Sequence, residues 1–357
     1  MPSDKSAVKR IVEKMAELPL GETRIMEVCG THTMAIAKSG IRSMLPENIC
    51  LLSGPGCPVC VTPAAVIDAV LELSMRQDII IASYGDMLRV PGSRPGDCLQ
   101  RRRALGARVE IVYSPIDAIE LARNDPGREV VFLGVGFETT APGTAAAVLT
   151  ARDAGVKNFS VWSMLKTVEP ALRALMRTED FNIQGFLCPG HVATIIGERG
   201  FEFLPHECGM PAVISGFEPE DILAAIYLLL RQIAEGEPRI ENEYKRAVAP
   251  EGNPLAQKII TECFVPRRDL WRGLGAIDAS GLALRDDLAE FDAEKKFAVE
   301  YGEGRPSPCR CGDVICGRIA PRECLLFGAR CTPEDPVGPC MVSSEGACAA
   351  AYKYQSI

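Results

Sequence analysis

Ten of the fifteen cysteines fall into two groups, and their spacing is that of thiols that bind metal or carry out redox chemistry. The first group is Cys29, Cys57 and Cys60. Cys29-Gly30-Thr31-His32 follows the apolar run Arg24–Val28 and leads into a helical pattern near Thr31. Gly54-Pro55-Gly56-Cys57-Pro58-Val59-Cys60 follows Ile49–Ser53 and leads into another from Thr62. In open parallel sheets, ligands bind beyond the carboxyl ends of strands, where both motifs fall. A helix N-terminus favours a thiolate, so these thiols are expected to ionise more readily than a free cysteine. A CxxC at a helix start suits a thiol–disulfide couple or two metal ligands. A purely structural role for Cys57 and Cys60 is the alternative. Three thiols and His32 gathered at strand ends beside Gly-Pro-Gly favour function.

The second group is Cys309, Cys311, Cys316, Cys324, Cys331, Cys340 and Cys348. Zinc sites usually come as paired CxxC knuckles, a spacing that no pair here has. Irregularly spaced thiolates supplied by several loops suit an iron–sulfur cubane better. After Tyr301 the chain is dense in Gly, Pro and Cys and poor in large apolar residues, so it needs a staple such as a bound metal centre. Two further motifs are weaker. Leu187-Cys188-Pro189-Gly190-His191 repeats the strand-end theme, with His191 a candidate ligand or proton carrier unless it is an ordinary turn histidine. Gly134–Thr140 offers backbone amides to an anion but matches no phosphate-loop spacing.

These motifs need strands and helices to position them. Runs at Arg24–Val28, Ile49–Ser53, Asp78–Ser83 and Arg108–Tyr113, then at Glu129–Val135, Asn158–Met164, Ile183–Cys188 and Pro211–Ser215, read as buried strands. Helical patterns at Thr62–Met75, Pro115–Arg123, Thr144–Ala154, Val168–Arg177 and Pro219–Ala234 alternate with them. The alternation predicts an α/β protein with parallel sheets covered on both faces. Four strands lie on each side of the Asn124-Asp125-Pro126-Gly127 break, which predicts a first α/β domain over 1–125 and a second over 126–236. Residues 237–357 form a third region, first helical to about Phe264, then glycine-rich around Trp271–Gly281, then cysteine-rich.

Composition narrows the function classes. The net charge of −8 and pI near 5.2 argue against nucleic acid or an anionic membrane surface as partner. No apolar run approaches the ~20 residues of a membrane span, and the charged start lacks the features of a signal peptide. A cytosolic location is therefore expected. An odd number of cysteines in a reducing compartment is no disulfide framework. The scattered Cys50, Cys98, Cys188, Cys208 and Cys263 read as core filler.

Taken in order, CGTH at 29–32, GPGCPVC at 54–60, CPGHV at 188–192 and CLLFGARCTPEDPVGPCMVSSEGACAA from Cys324 to Ala350 resemble the HypD family of hydrogenase maturation factors. The resemblance covers almost the whole chain. It implies two α/β domains facing a cleft plus a cluster-bearing region, and a role in assembling the Fe(CN)2CO group of nickel–iron hydrogenases. It implies a small HypC-type chaperone that shares the iron and a HypE-type partner that delivers cyanide. By the same resemblance Cys29, Cys57 and Cys60 are iron-site and redox thiols, and Cys311, Cys324, Cys331 and Cys348 hold a 4Fe–4S cluster. Cys309 and Cys316 compete with Cys311 for the first ligand position, and Cys340 lies outside the expected pattern. The rival reading from another class is an iron–sulfur-dependent thiol–disulfide reductase; a third is a structural zinc protein.

Overall fold

The computed structural model describes residues 5–302 and 307–354. The outer ends of the expected first and third regions, 1–4 and 355–357, lie outside the described residues, as does 303–306. All of the expected strands form, each within about two residues of its predicted bounds: β1 (Thr23–Glu27), β2 (Ile49–Ser53), β3 (Ile79–Ser83), β4 (Arg108–Ile111), β5 (Glu129–Gly136), β6 (Phe159–Leu165), β7 (Gly185–Pro189) and β8 (Ala212–Ser215). A ninth, β9 (Ile240–Asn242), was not foreseen. The expected helices form too, with local signals that explain their starts. Ser114 and Asp117 close a capping box ahead of Pro115, and Glu218 with Asp221 does the same ahead of Pro219.

Two parallel sheets result, one ordered β2-β1-β7-β8-β9 and the other β4-β3-β5-β6. Every residue of β3 and β6 is buried, as is all of β5 after Glu129, which is what helices on both faces require. The edge strand β4 shows three of its four residues to solvent.

The sheet membership corrects the expected split at residue 125. The chain lays down β1 and β2, crosses to build the whole second sheet from β3 to β6, then returns to the first sheet with β7 to β9. Return is through β7, whose Gly185 pairs with Ile25 of β1. Strands of the two sheets are equally apolar, so hydrophobic runs reveal that strands exist but not which sheet takes them. The third region does not begin cleanly at 237 either, because β9 extends the first sheet.

The glycine-rich stretch at 271–281 takes regular structure. It belongs to an antiparallel hairpin of β10 (Phe264–Trp271) and β11 (Gly275–Leu284). Pro266 and alternating charges disguise β10, whose middle is largely exposed. Gly273 and Gly275 hold the tight connection with φ of 82° and 77°. The hairpin is stitched to β6: Ser163 Oγ donates to Leu282 O at 2.5 Å and Arg267 Nη2 to Ser163 O at 2.7 Å. Lys166, 2% exposed, pairs with Asp269 at 2.7 Å and donates to Leu270 O. Removing Asp269 strands the Lys166 charge inside, at about 3–5 kcal/mol.

The cysteine-rich segment is not a separate lobe. Its helix Ala347–Tyr354 lays small residues, Ala347, Ala350 and Ala351, against the helix Gly30–Ser39. A second short helix, Cys311–Ile315, packs on the turn of helix Pro58–Val61. Thiols and a few apolar side chains thereby join the main core instead of making one of their own.

Candidate thiol cleft and cluster pocket

Cys29 ends the β1 connection and occupies the N-cap of the helix Gly30–Ser39 in extended conformation. Cys57 occupies the N-cap of Pro58–Val61, where its sulfur accepts from the Cys60 amide at 3.2 Å. The two loops touch. Gly30 N donates to Gly56 O at 3.1 Å, and a Cβ on Gly56 would stand 2.2 Å from Cys29 N. Gly56→Ala is therefore expected to destabilise by about 3 kcal/mol, the upper end for forced overpacking, because the atom struck is backbone and cannot swing away. It should also raise the alkylation rate of Cys29. An unchanged melt with unchanged alkylation would show that the loops are independent.

Cys29, Gly56, Pro58 and His191 line one cleft of about 160 Å³ with Phe137, Thr139, Thr140 and Val168 from the second sheet. Carboxyl ends of strands from both sheets meet there, as the rule for ligand sites in open sheets requires. The last wall is Glu345, which no sequence motif had singled out. Its carboxylate accepts from Thr31 Oγ1 at 2.8 Å, and its Cβ would lie 2.4 Å from a Cβ on Gly30. Glu27 was missed as well. Fully buried at the end of β1, it accepts from Cys29 N at 3.1 Å and from Thr33 Oγ1 at 2.6 Å, which fixes the Cys29 loop from below. Burial raises the Glu27 carboxyl to about 7. A lone glutamate inside an apolar strand is the sequence signal that marks it.

The expected readily ionised thiol is not what Cys29 is in the free protein. Burial, with Glu345 and Glu27 nearby, pushes it up to about 12 against the pull of the helix amides. A bound cation is the natural way to hold it as thiolate. Cys57 and Cys60 are buried and joined as a disulfide, with Cα atoms 5.2 Å apart, inside the range that closes without backbone movement.

The two histidines part company. His191 is exposed at the cleft and stacks on Phe217, ring centroids 3.9 Å apart. His32 stacks 4.7 Å away on the same ring, wholly buried and outside the cleft wall. Its Nε2 lies 2.8 Å from Gly216 O, and burial lowers its pKa to about 4. The helix turn that puts Thr31 at the cleft rotates residue 32 into the core, so of the two candidate histidines only His191 reaches the cleft wall. Cys188 is core, as expected.

A second site lies in the C-terminal segment. Cys309, Cys311, Cys324, Cys331, Cys340 and Cys348 surround one small cavity of about 20 Å³, whose other walls are apolar: Val314, Leu326, Phe327 and Met341. Cys316 does not join them; its sulfur faces Gly273 O at 3.6 Å. Cys316 thus lies apart from that cavity, while Cys309 and Cys340 stand beside Cys311. Thiols of Cys309, Cys311, Cys340 and Cys348 touch in series. Cys311 is drawn down by Cys309 but pushed up by Cys340 and by burial, to about 12. The Val337 amide donates to Cys331 Sγ at 3.3 Å. Among the described residues no three donors converge on a single ion's position. Thiols arriving from several loops around an apolar hollow fit the donor set of a multi-iron cluster, whose positive irons would offset the cost of ionising them together.

The two sites adjoin. Cys57 Sγ lies 3.3 Å from Ser343 Oγ, and the Ser344 amide and hydroxyl donate to Asp86 Oδ2 at 3.0 and 2.9 Å. Only four residues, 344–347, separate Ser343 from Cys348 in the chain.

Known proteins resemble this chain along almost its whole length. A family model described as "HypD: Hydrogenase formation hypA family" matches residues 5–355. The hydrogenase maturation factor HypD of Rhodobacter capsulatus is 44% identical over 353 residues, covering 97% of this chain and 93% of that protein. Those of Azotobacter vinelandii and Escherichia coli K12 are each 45% identical, over 94% and 95% of this chain and 90% of each relative. No helix among the described residues is long and apolar enough to cross a membrane. A likeness that runs from the first helix to the last, through the cleft and the six-thiol pocket alike, makes this chain a member of the HypD family of hydrogenase maturation factors.

Proposed function

We propose that the protein is the scaffold and redox component on which the Fe(CN)2CO group of nickel–iron hydrogenases is assembled in the cytosol. The single observation that carries the reading is the meeting of three thiol elements: Cys29, the Cys57–Cys60 disulfide and the cysteine-rich segment at Ser343–Glu345. Iron is the cargo, held at Cys29 together with a small HypC-type chaperone, and a HypE-type partner brings cyanide as a protein thiocyanate. Soft anionic thiolates suit low-spin iron(II) with strong-field ligands. A 4Fe–4S cluster, held by Cys311, Cys324, Cys331 and Cys348, would supply electrons one at a time.

The chain's own residues do the rest. Releasing cyanide from S–C≡N takes two electrons and a proton, leaving a thiol and cyanide. Cys57 and Cys60 as a dithiol can give two electrons and two protons, returning to the disulfide, with one proton going to the released thiol and the other to solvent. Glu27 fixes the Cys29 backbone, and His191 faces the cleft from which cyanide must reach the iron. Anaerobically purified protein should be brown, with acid-labile sulfide and with iron in excess of that sulfide. Iron equal to sulfide in the presence of the chaperone would leave the cluster-dependent thiol–disulfide reductase as the better reading. A colourless, sulfide-free protein would sink both.

A further inference from the structure

The turn between β10 and β11 touches both thiol sites at once. Arg272 N donates to Val61 O at 2.8 Å, Nε to Cys60 O at 3.1 Å and Nη2 to Thr62 O at 2.8 Å. These are the orphan carbonyls at the C-terminal end of the Pro58–Val61 turn, where a cation is favoured. On its other side the turn presses on the helix that starts with Cys311. A Cβ on Gly273 would stand 2.6 Å from Gly312 O, and one on Gly312 would stand 3.8 Å from Arg272 Cγ. Arg272 is half-buried and donates only to main-chain carbonyls, so among the described residues no carboxylate neutralises it.

We infer that Arg272 is a positioning residue for electron delivery, clamping the Cys57–Cys60 loop against the six-thiol pocket and placing a fixed positive charge between them. The inference rests on the reading that the pocket holds an iron–sulfur cluster. Opening the disulfide consumes two electrons and two protons, breaks the S–S bond and leaves two thiols. An external one-electron carrier supplies the electrons through the pocket, and water supplies the protons. Arg272 keeps the acceptor in place for both transfers and favours the negative charge that arrives with each.

The test uses the full chain, its cluster first verified by absorbance and sulfide, with Arg272→Met and Arg272→Lys. Dithionite serves as one-electron reductant and dithiothreitol as a two-electron reductant that bypasses the pocket. Thiol alkylation with mass analysis follows Cys57 and Cys60, and Cys324→Ala gives the cluster-free background. Arg272→Met should retain the cluster and slow dithionite-driven opening by about ten-fold, roughly the population factor of a charge-assisted hydrogen bond. Arg272→Lys should recover part of the rate, and the dithiothreitol rate should stay unchanged in both. Equal dithionite rates in all three proteins, or equal slowing by the two reductants, would overturn the role. A wild-type chain without cluster would overturn the cluster reading itself, and the inference with it.

Discussion

Alanine at Cys324, Cys331 or Cys348 is expected to abolish the brown absorbance completely. These thiols reach the hollow from separate loops, and each has no second thiol close by in sequence to replace it. The segment that carries them buries few large side chains, so binding and local order are coupled and loss of the metal centre should free it. Limited proteolysis should then cut after about residue 300, where the loaded protein resists. The neighbouring positions should behave differently. Cys311→Ala should keep part of the colour, because Cys309, close by on the same loop, touches its thiol and can take its place, while Cys316→Ala should keep all of it. Colour surviving intact at Cys324, Cys331 or Cys348 would remove that residue from the ligand set.

Cys29→Ala is expected to remove the iron in excess of sulfide while leaving the cluster. The infrared bands of iron-bound cyanide and CO, expected when the partners are present, should vanish with it. The argument is electrostatic as well as geometric. Burial and two nearby carboxyls hold the Cys29 thiol near 12, so the site favours a positive ion over a free thiolate. Alanine leaves the backbone in place, since Glu27 and Gly56 grip the loop through main-chain atoms. Persistence of the bands in Cys29→Ala would move the iron onto Cys57 and Cys60. Those two then serve as ligands, and their disulfide is not part of the cycle.

The elements and the family resemblance were legible in the amino-acid sequence. Buried strands announce themselves through short, mostly apolar runs, and helix starts through Ser114, Pro115 and Pro219, because both signals act over a few residues. The thiol motifs lay at strand ends by spacing alone, and their order identified the family they resemble. What only the tertiary structure decided depends on distance across the chain. The interleaving of the sheets turns on β7 choosing β1, a pairing between residues some 160 apart that leaves no local trace. His32 and Thr31 are neighbours, yet the helix rotation sends one to the core and the other to the cleft. Cys316 stands among six clustered thiols in sequence and faces elsewhere in space. Glu345 and Arg272 look like ordinary charges until the fold brings them against the Cys29 loop and Cys60. The ionisation of Cys29 follows the same logic: helix amides favour the thiolate, but burial, which only packing sets, outweighs them.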